Sequence, residues 1–216
     1  MALIASDTGG GDFKPVPQGV HTGRCVRVID LGTQPREYQG QPKSPVRKVM
    51  LSWELYGEDE DGQPMLTDDG KPLAISKRYT LSLGEKATLR SDLESWRGRA
   101  FTAEELAGFD VSKLLGVAAL INVKHDVREG KTYANVASIS PVPKAMRESV
   151  PPAVAALQVF DVTAPDMKLF EMFSDKMKEI INGCAEWKKS PDVNQAAAAT
   201  APNGVGVGGM DDDVPW

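Results

Sequence analysis

The sequence predicts a mainly-β fold: a small antiparallel β-barrel, a helical insertion between its third and fourth strands, and a helix C-terminal to it. Three observations carry that expectation. Successive segments alternate apolar and polar residues with the period of two that marks half-buried strands. Between the third and fourth of them the period lengthens to that of a helix. Clusters of Gly, Pro and Asp, which favour turns, separate the segments.

Residues 1–12 (MALIASDTGGGD) are small, polar and Gly-rich, and read as a disordered N-terminus. From Gly19 to Leu31, Val20, Thr22, Arg24, Val26 and Val28 alternate with His21, Gly23, Cys25, Arg27 and Ile29, a first strand. Gly32 to Pro45 holds three prolines and two glycines and reads as a loop carrying Arg36, Tyr38 and Lys43. The second strand, Val46 to Tyr56, sets Val49, Leu51, Trp53 and Leu55 against Lys48, Met50, Ser52 and Glu54. An acidic loop, Gly57 to Pro72, leads to a third strand, Ala74 to Leu83.

Leu89, Leu93 and Trp96 then fall at i, i+4, i+7, the stripe of a helix over about 85–97. Thr102-Ala-Glu-Glu105 is a capping box that starts a short second helix, ending at Gly108. Val117 to Asp126 and Thr132 to Ser140 are the last two strands, with Arg128-Glu-Gly-Lys131 as a tight hairpin signal between them. One domain therefore spans 13–143. A Pro-rich connecting segment covers 144–164, and an amphipathic helix marked by Phe170, Phe173, Met177, Ile181 and Cys184 spans 165–188. That helix either packs back on the barrel, joins a second copy of the chain, or docks a partner. A flexible Ala- and Gly-rich linker (189–209) and an acidic tip (210–216) finish the chain.

Several function classes find no support. No apolar stretch reaches the roughly 20 residues of a membrane span, and the N-terminus lacks the charged and apolar regions of a secretory signal; the expected location is the cytoplasm. Cys25 and Cys184 belong to no Cys/His cluster and read as buried small hydrophobes. Glu58, Asp59, Glu60, Asp61, Asp68 and Asp69 lack the spacing of a calcium loop and read as a solvated loop. No GxxxxGK[ST], GxSxG or HExxH motif occurs. The chain is expected to be no enzyme and to need no metal or cofactor.

Charge is unevenly distributed. Taking those six loop acids and Asp211, Asp212 and Asp213 out of a formal charge of −5 leaves +4, so the remainder is mildly basic. The tip itself, Met210-Asp-Asp-Asp-Val-Pro-Trp216, joins three carboxylates to Val214, Pro215 and a terminal Trp216 behind a tether. Such a peptide can seat its aromatic in an apolar pocket while Asp211, Asp212 and Asp213 meet basic side chains at the rim.

This tip resembles the acidic tip of bacterial single-stranded DNA-binding proteins, typically Asp-Asp-Asp-Ile-Pro-Phe, with Val214 and Trp216 as conservative departures. The β-β-β-α-α-β-β core, with Arg47-Lys-Val-Met-Leu-Ser-Trp-Glu-Leu55 and Gly130-Lys-Thr-Tyr-Ala-Asn-Val136, resembles the OB-type single-stranded DNA-binding proteins of tailed bacteriophages. The resemblance implies an OB barrel coating single strands in phage DNA replication or recombination, in the host cytoplasm, with the tip recruiting replication or recombination proteins. The helical insertion and the C-terminal helix depart from the ordinary bacterial pattern.

Sequence-tolerant strand binding needs cations for phosphates and flat rings for bases. Trp53 and Trp96 continue apolar stripes and read as core, and Tyr56 adjoins the acidic loop. Tyr38, on a basic loop, and Tyr133, beside Lys131, are the better platforms, with Tyr79 balanced between core and surface. Lys48, Lys77, Arg78, Arg90, Arg97, Arg99, Lys124 and Lys131 are the candidate cations. The competing expectations are a protein-interaction module that mimics a host tip without touching DNA, and, weakest, a metal-dependent nuclease built on the acidic loop.

Overall fold

The computed structural model of this protein describes residues 15–59 and 61–187. The expectations for 1–12, for 189–209 and for Asp211 to Trp216 lie outside the described residues.

The fold is mainly β. Strands β1 (Gly19–Tyr38), β2 (Gln41–Tyr56) and β3 (Ala74–Thr80) precede helices α1 (Thr88–Arg97) and α2 (Ala103–Ala107); β4 (Ala118–Arg128) and β5 (Lys131–Ser140) follow. A short strand β6 (Gln158–Phe160) and helices α3 (Met167–Glu171) and α4 (Asp175–Asn182) complete the described chain. The sheet order is β3-β2-β1-β4-β5, all antiparallel, with β6 added in parallel beside β1.

β1 organises the sheet. Register shifts between Cys25 and Arg27, Asp30 and Gly32, and Gln34 and Arg36 bend it repeatedly. Its first part, Gly19 to Arg24, pairs with β4; past the first bend that edge is taken by β6, at Arg27 to Ile29. The sequence predicts a barrel. Among the described residues no ladder joins β3 to β5, although the two edge strands approach within 8 Å between Cα atoms, so hydrogen bonds do not close the sheet.

Two apolar layers flank β1 and β2. Inside the curl, Cys25, Val28, Val49, Leu51, Trp53, Leu55, Ile75, Ile121, Val123 and Ile139 meet Leu89, Leu93 and Trp96 of α1. Trp53 and Trp96, 0% and 4% exposed, pack edge to face with centroids 5.8 Å apart. On the outer face Ile29, Leu31 and Met50 meet Phe160, Val162, Leu169, Phe170, Phe173, Met177, Ile181 and Trp187. Both cysteines are buried free thiols, one in each layer, and burial pushes the Cys25 thiol up to about 12.

Three local expectations are corrected. Gly32 to Pro45 is strand rather than loop: β1 and β2 run on to a tight turn at Gln39-Gly40, both with positive φ. The ribbon tolerates its prolines because Pro35 falls at a register shift and the arm is exposed. The Pro-rich segment 144–164 contains β6 and packs on the sheet: Val154 and Ala155 donate backbone N–H bonds to buried Glu54 at 2.7 and 2.9 Å. The single helix expected over 165–188 is two, because side-chain acceptors start it twice, Asp166 on the amides of Lys168 and Leu169, and Ser174 on that of Met177.

Candidate nucleic-acid interface

A groove of about 710 Å³ runs between the free edge of β3 and the connection into α1, lined by Lys48, Lys77, Arg78, Tyr79, Lys86 and Thr88 among others. Three of the sequence-picked cations, Lys48, Lys77 and Arg78, therefore come together. Strand pairing does this: Lys48 lies opposite Thr80 and Lys77 opposite Leu51, so the middle of β2 meets the end of β3. Lys86 joins them from the 81–87 connection, where no periodicity marked it.

The groove does not use every group on its wall. Lys77 Nζ and the Tyr79 hydroxyl both donate to Asp92 Oδ2 of α1 at 2.8 Å. Tyr79 is 3% exposed, and burial, reinforced by the Asp92 charge, raises its hydroxyl pKa well above the ordinary phenol value. Its ring leaves no face for a base, so Tyr79 leaves the set of stacking platforms. Lys77 is half spent on Asp92, and its ammonium sits 5.5 Å from the Tyr79 centroid.

Two hairpin arms carry the other platforms. The β4–β5 turn at Glu129-Gly130, both with positive φ, fixes the pairs Lys124–Asn135, Asp126–Tyr133 and Arg128–Lys131. Because Val123 and Val136 point inward, those three pairs share the opposite face. Tyr133 thus stands among Lys124, Arg128 and Lys131, with one carboxylate, Asp126, bonded to Asn135 at 3.1 Å and 4.0 Å from Arg128. On the β1–β2 arm, Arg36 pairs with Lys43 and Tyr38 with Gln41, which puts Tyr38, 62% exposed, on one face with both cations. Arg128 was missed by sequence reasoning; the hairpin register opposite Lys131 was the signal that pointed to it.

Arg90, Arg97 and Arg99 are diverted to architecture. Arg90 Nε donates to Glu94 at 3.0 Å, one turn along α1. Arg97 and Arg99 converge on Glu105, Arg99 Nη2 at 2.8 Å, and Arg97 also lies 4.3 Å over the Phe101 ring. Glu105 closes the capping box with Thr102, as its spacing predicts. The Arg99 bond, the Thr102 amide and Arg97 together hold its carboxyl at about 2. Arg97 and Arg99 tie α1 to α2 through Glu105, while Arg90 pairs within α1, so carboxylates of the fold engage all three of these candidate cations.

The acidic loop is kept away. Lys48 pairs with Thr80 at one end of the β2–β3 hairpin and Glu54 with Ala74 at the other, where the loop begins. Six residues of strand separate the ends by roughly 20 Å, about two screening lengths at physiological salt. Within the loop Asp59 Oδ1 accepts the amides of Asp61 and Gln63 at 3.1 and 2.8 Å, and Asp69 pairs with Lys71 at 2.5 Å. Among the described residues no cluster of His, Cys, Asp and Glu is arranged to hold a metal ion, and no helix is long and apolar enough to cross a membrane.

No protein-family model matches the chain, and no curated protein matches it.

Proposed function

We propose that this protein binds single-stranded DNA with little sequence preference, catalyses no reaction on it, and recruits replication or recombination proteins through residues 210–216. The observation that carries the reading is the pair of hairpin arms, each presenting a tyrosine among cations: Tyr38 with Arg36 and Lys43, Tyr133 with Lys124, Arg128 and Lys131. A ring flanked by positive charge is what a strand offering bases and phosphates needs, each stacked base contributing roughly 1–3 kcal/mol. The groove of Lys48, Lys77, Arg78 and Lys86 supplies further phosphate contacts.

The topology supports an OB-type reading. The order β3-β2-β1-β4-β5, a bent β1 shared by two neighbours, and a helix between β3 and β4 suit a partly open five-stranded barrel. The resemblance of the tip to that of bacterial single-stranded DNA-binding proteins, and of the core to phage ones, supports a role in phage DNA replication or recombination.

Fluorescence anisotropy with labelled oligo(dT) tests this. The expected result is micromolar or tighter binding that weakens linearly in log salt. No binding at low salt would overturn it and leave the tip as a protein-interaction element.

A further inference from the structure

The β1–β2 arm is a ribbon of only two strands. β6 leaves β1 at Ile29 and the β3 ladder begins at Lys48, so among the described residues no third strand supports residues 35–45, which are exposed. An isolated ribbon of this kind is marginal in water. Its root, however, is gripped by the far end of the described chain. Glu186 Oε2 accepts the Thr33 amide at 2.7 Å and Oε1 accepts the Thr33 hydroxyl at 2.5 Å, across 153 residues of sequence. The Ala185 amide donates to Thr33 O at 3.1 Å, and Gln34 Nε2 to Ile180 O at 3.0 Å. Arg47, directly across from Thr33, bonds Asp30 at 2.5 Å and lies 3.8 Å from Asp161.

These bonds all fall within residues 30–34 and 47, where the arm leaves the sheet. Thr33 is held by both its backbone groups and its side chain, so its orientation, and with it the direction of the ribbon, follows from the position of Glu186 and Ala185. We infer that Glu186 is a positioning residue for Tyr38: the cap formed by residues 158–187 aims the β1–β2 arm, and the affinity that Tyr38 contributes depends on a carboxylate whose two oxygens are both engaged with Thr33. The inference rests on the DNA-binding reading for its consequence, and on the arm's geometry for its cause.

The full chain carrying Glu186→Ala, Thr33→Val, Tyr38→Ala and Tyr133→Ala, singly and paired, separates the two. With oligo(dT), Tyr38→Ala weakens binding about tenfold. Glu186→Ala is expected to weaken it several-fold, and to add nothing once Tyr38 is gone, while its effect multiplies with that of Tyr133→Ala. Without DNA, amide hydrogen exchange across 35–45 is expected to accelerate in Glu186→Ala and in Thr33→Val, with exchange across β4 and β5 unchanged. Independent, multiplying effects of Glu186→Ala and Tyr38→Ala overturn the inference, as does unaltered exchange in the arm. Should Glu186→Ala fail to fold, the milder Thr33→Val carries both measurements. Failure of the wild-type chain to bind oligo(dT) sinks the DNA reading instead, and the exchange result then decides the positioning role alone.

Discussion

Tyr79 and Tyr133 both follow a lysine within two residues, yet Tyr79 is buried while Tyr133 stays half-buried at the surface. Asp92 makes the difference: it takes the Lys77 ammonium and the Tyr79 hydroxyl together and draws the ring into the core. A carboxylate 13 residues further on, on another element, leaves no mark in the strand's own alternation. Replacing Tyr133 by Ala should cost strand affinity about 1–3 kcal/mol in an oligo(dT) titration, whereas Tyr133→Phe, which keeps the ring, should lose little. Gly32 is a second residue whose role its own strand does not reveal. It has φ +68°, and a Cβ there would lie 2.5 Å from Cys184 Sγ. Gly32→Ala should therefore destabilise the fold by about 2 kcal/mol or more, from backbone strain and overpacking, read as a lower denaturation midpoint.

Elements show which charges hold the molecule together. The α1–α2 corner depends on Glu105, ionised and bonded in the fold and held at about 2 against an ordinary value of 4.5. A depressed carboxylate contributes its full stabilisation above the unfolded value and loses it as protons return. Acid titration should weaken the corner between about pH 4.5 and pH 2, seen in the near-ultraviolet signal of Trp96, and Glu105→Gln should flatten that window. In the cap, Phe160 is 1% exposed and touches the rings of Phe170, Phe173 and Trp187. Phe160→Ala should cost about 3–5 kcal/mol by leaving a cavity in the outer layer, measured by chemical denaturation. That burial was legible only in part: the spacing of Phe170, Phe173, Met177 and Ile181 announced an apolar face but not where it would dock.

The whole molecule is a sheet covered on both sides along β1 and β2. The outer cover is integral: it buries Ile29, Leu31 and Met50, and Glu54, 2% exposed, accepts two amides from the 150–155 segment. A buried carboxylate stripped of such partners is costly. A chain ending after Pro143 should consequently lose cooperative unfolding and bind a hydrophobic dye, while the chain through Trp187 should melt in one transition. Charge is arranged at the same scale, with the groove and acidic loop at opposite ends of one hairpin.

By itself the sequence determined the order of elements from β1 to β5, the inward stripe of Val49, Leu51, Trp53 and Leu55, the Thr102–Glu105 cap, and the turn at Glu129-Gly130. All of these are encoded within a few residues, where periodicity and backbone preference act. Tertiary structure alone decided that Met50, Ser52 and Glu54 are buried, that Arg97 and Arg99 are spent on Glu105 of α2, and that a third bend in β1 turns a supposed loop into an arm. Those outcomes depend on partners brought in from up to 153 positions away. Local alternation reports one buried face of a strand; it is silent about a second layer that satisfies polar side chains from outside.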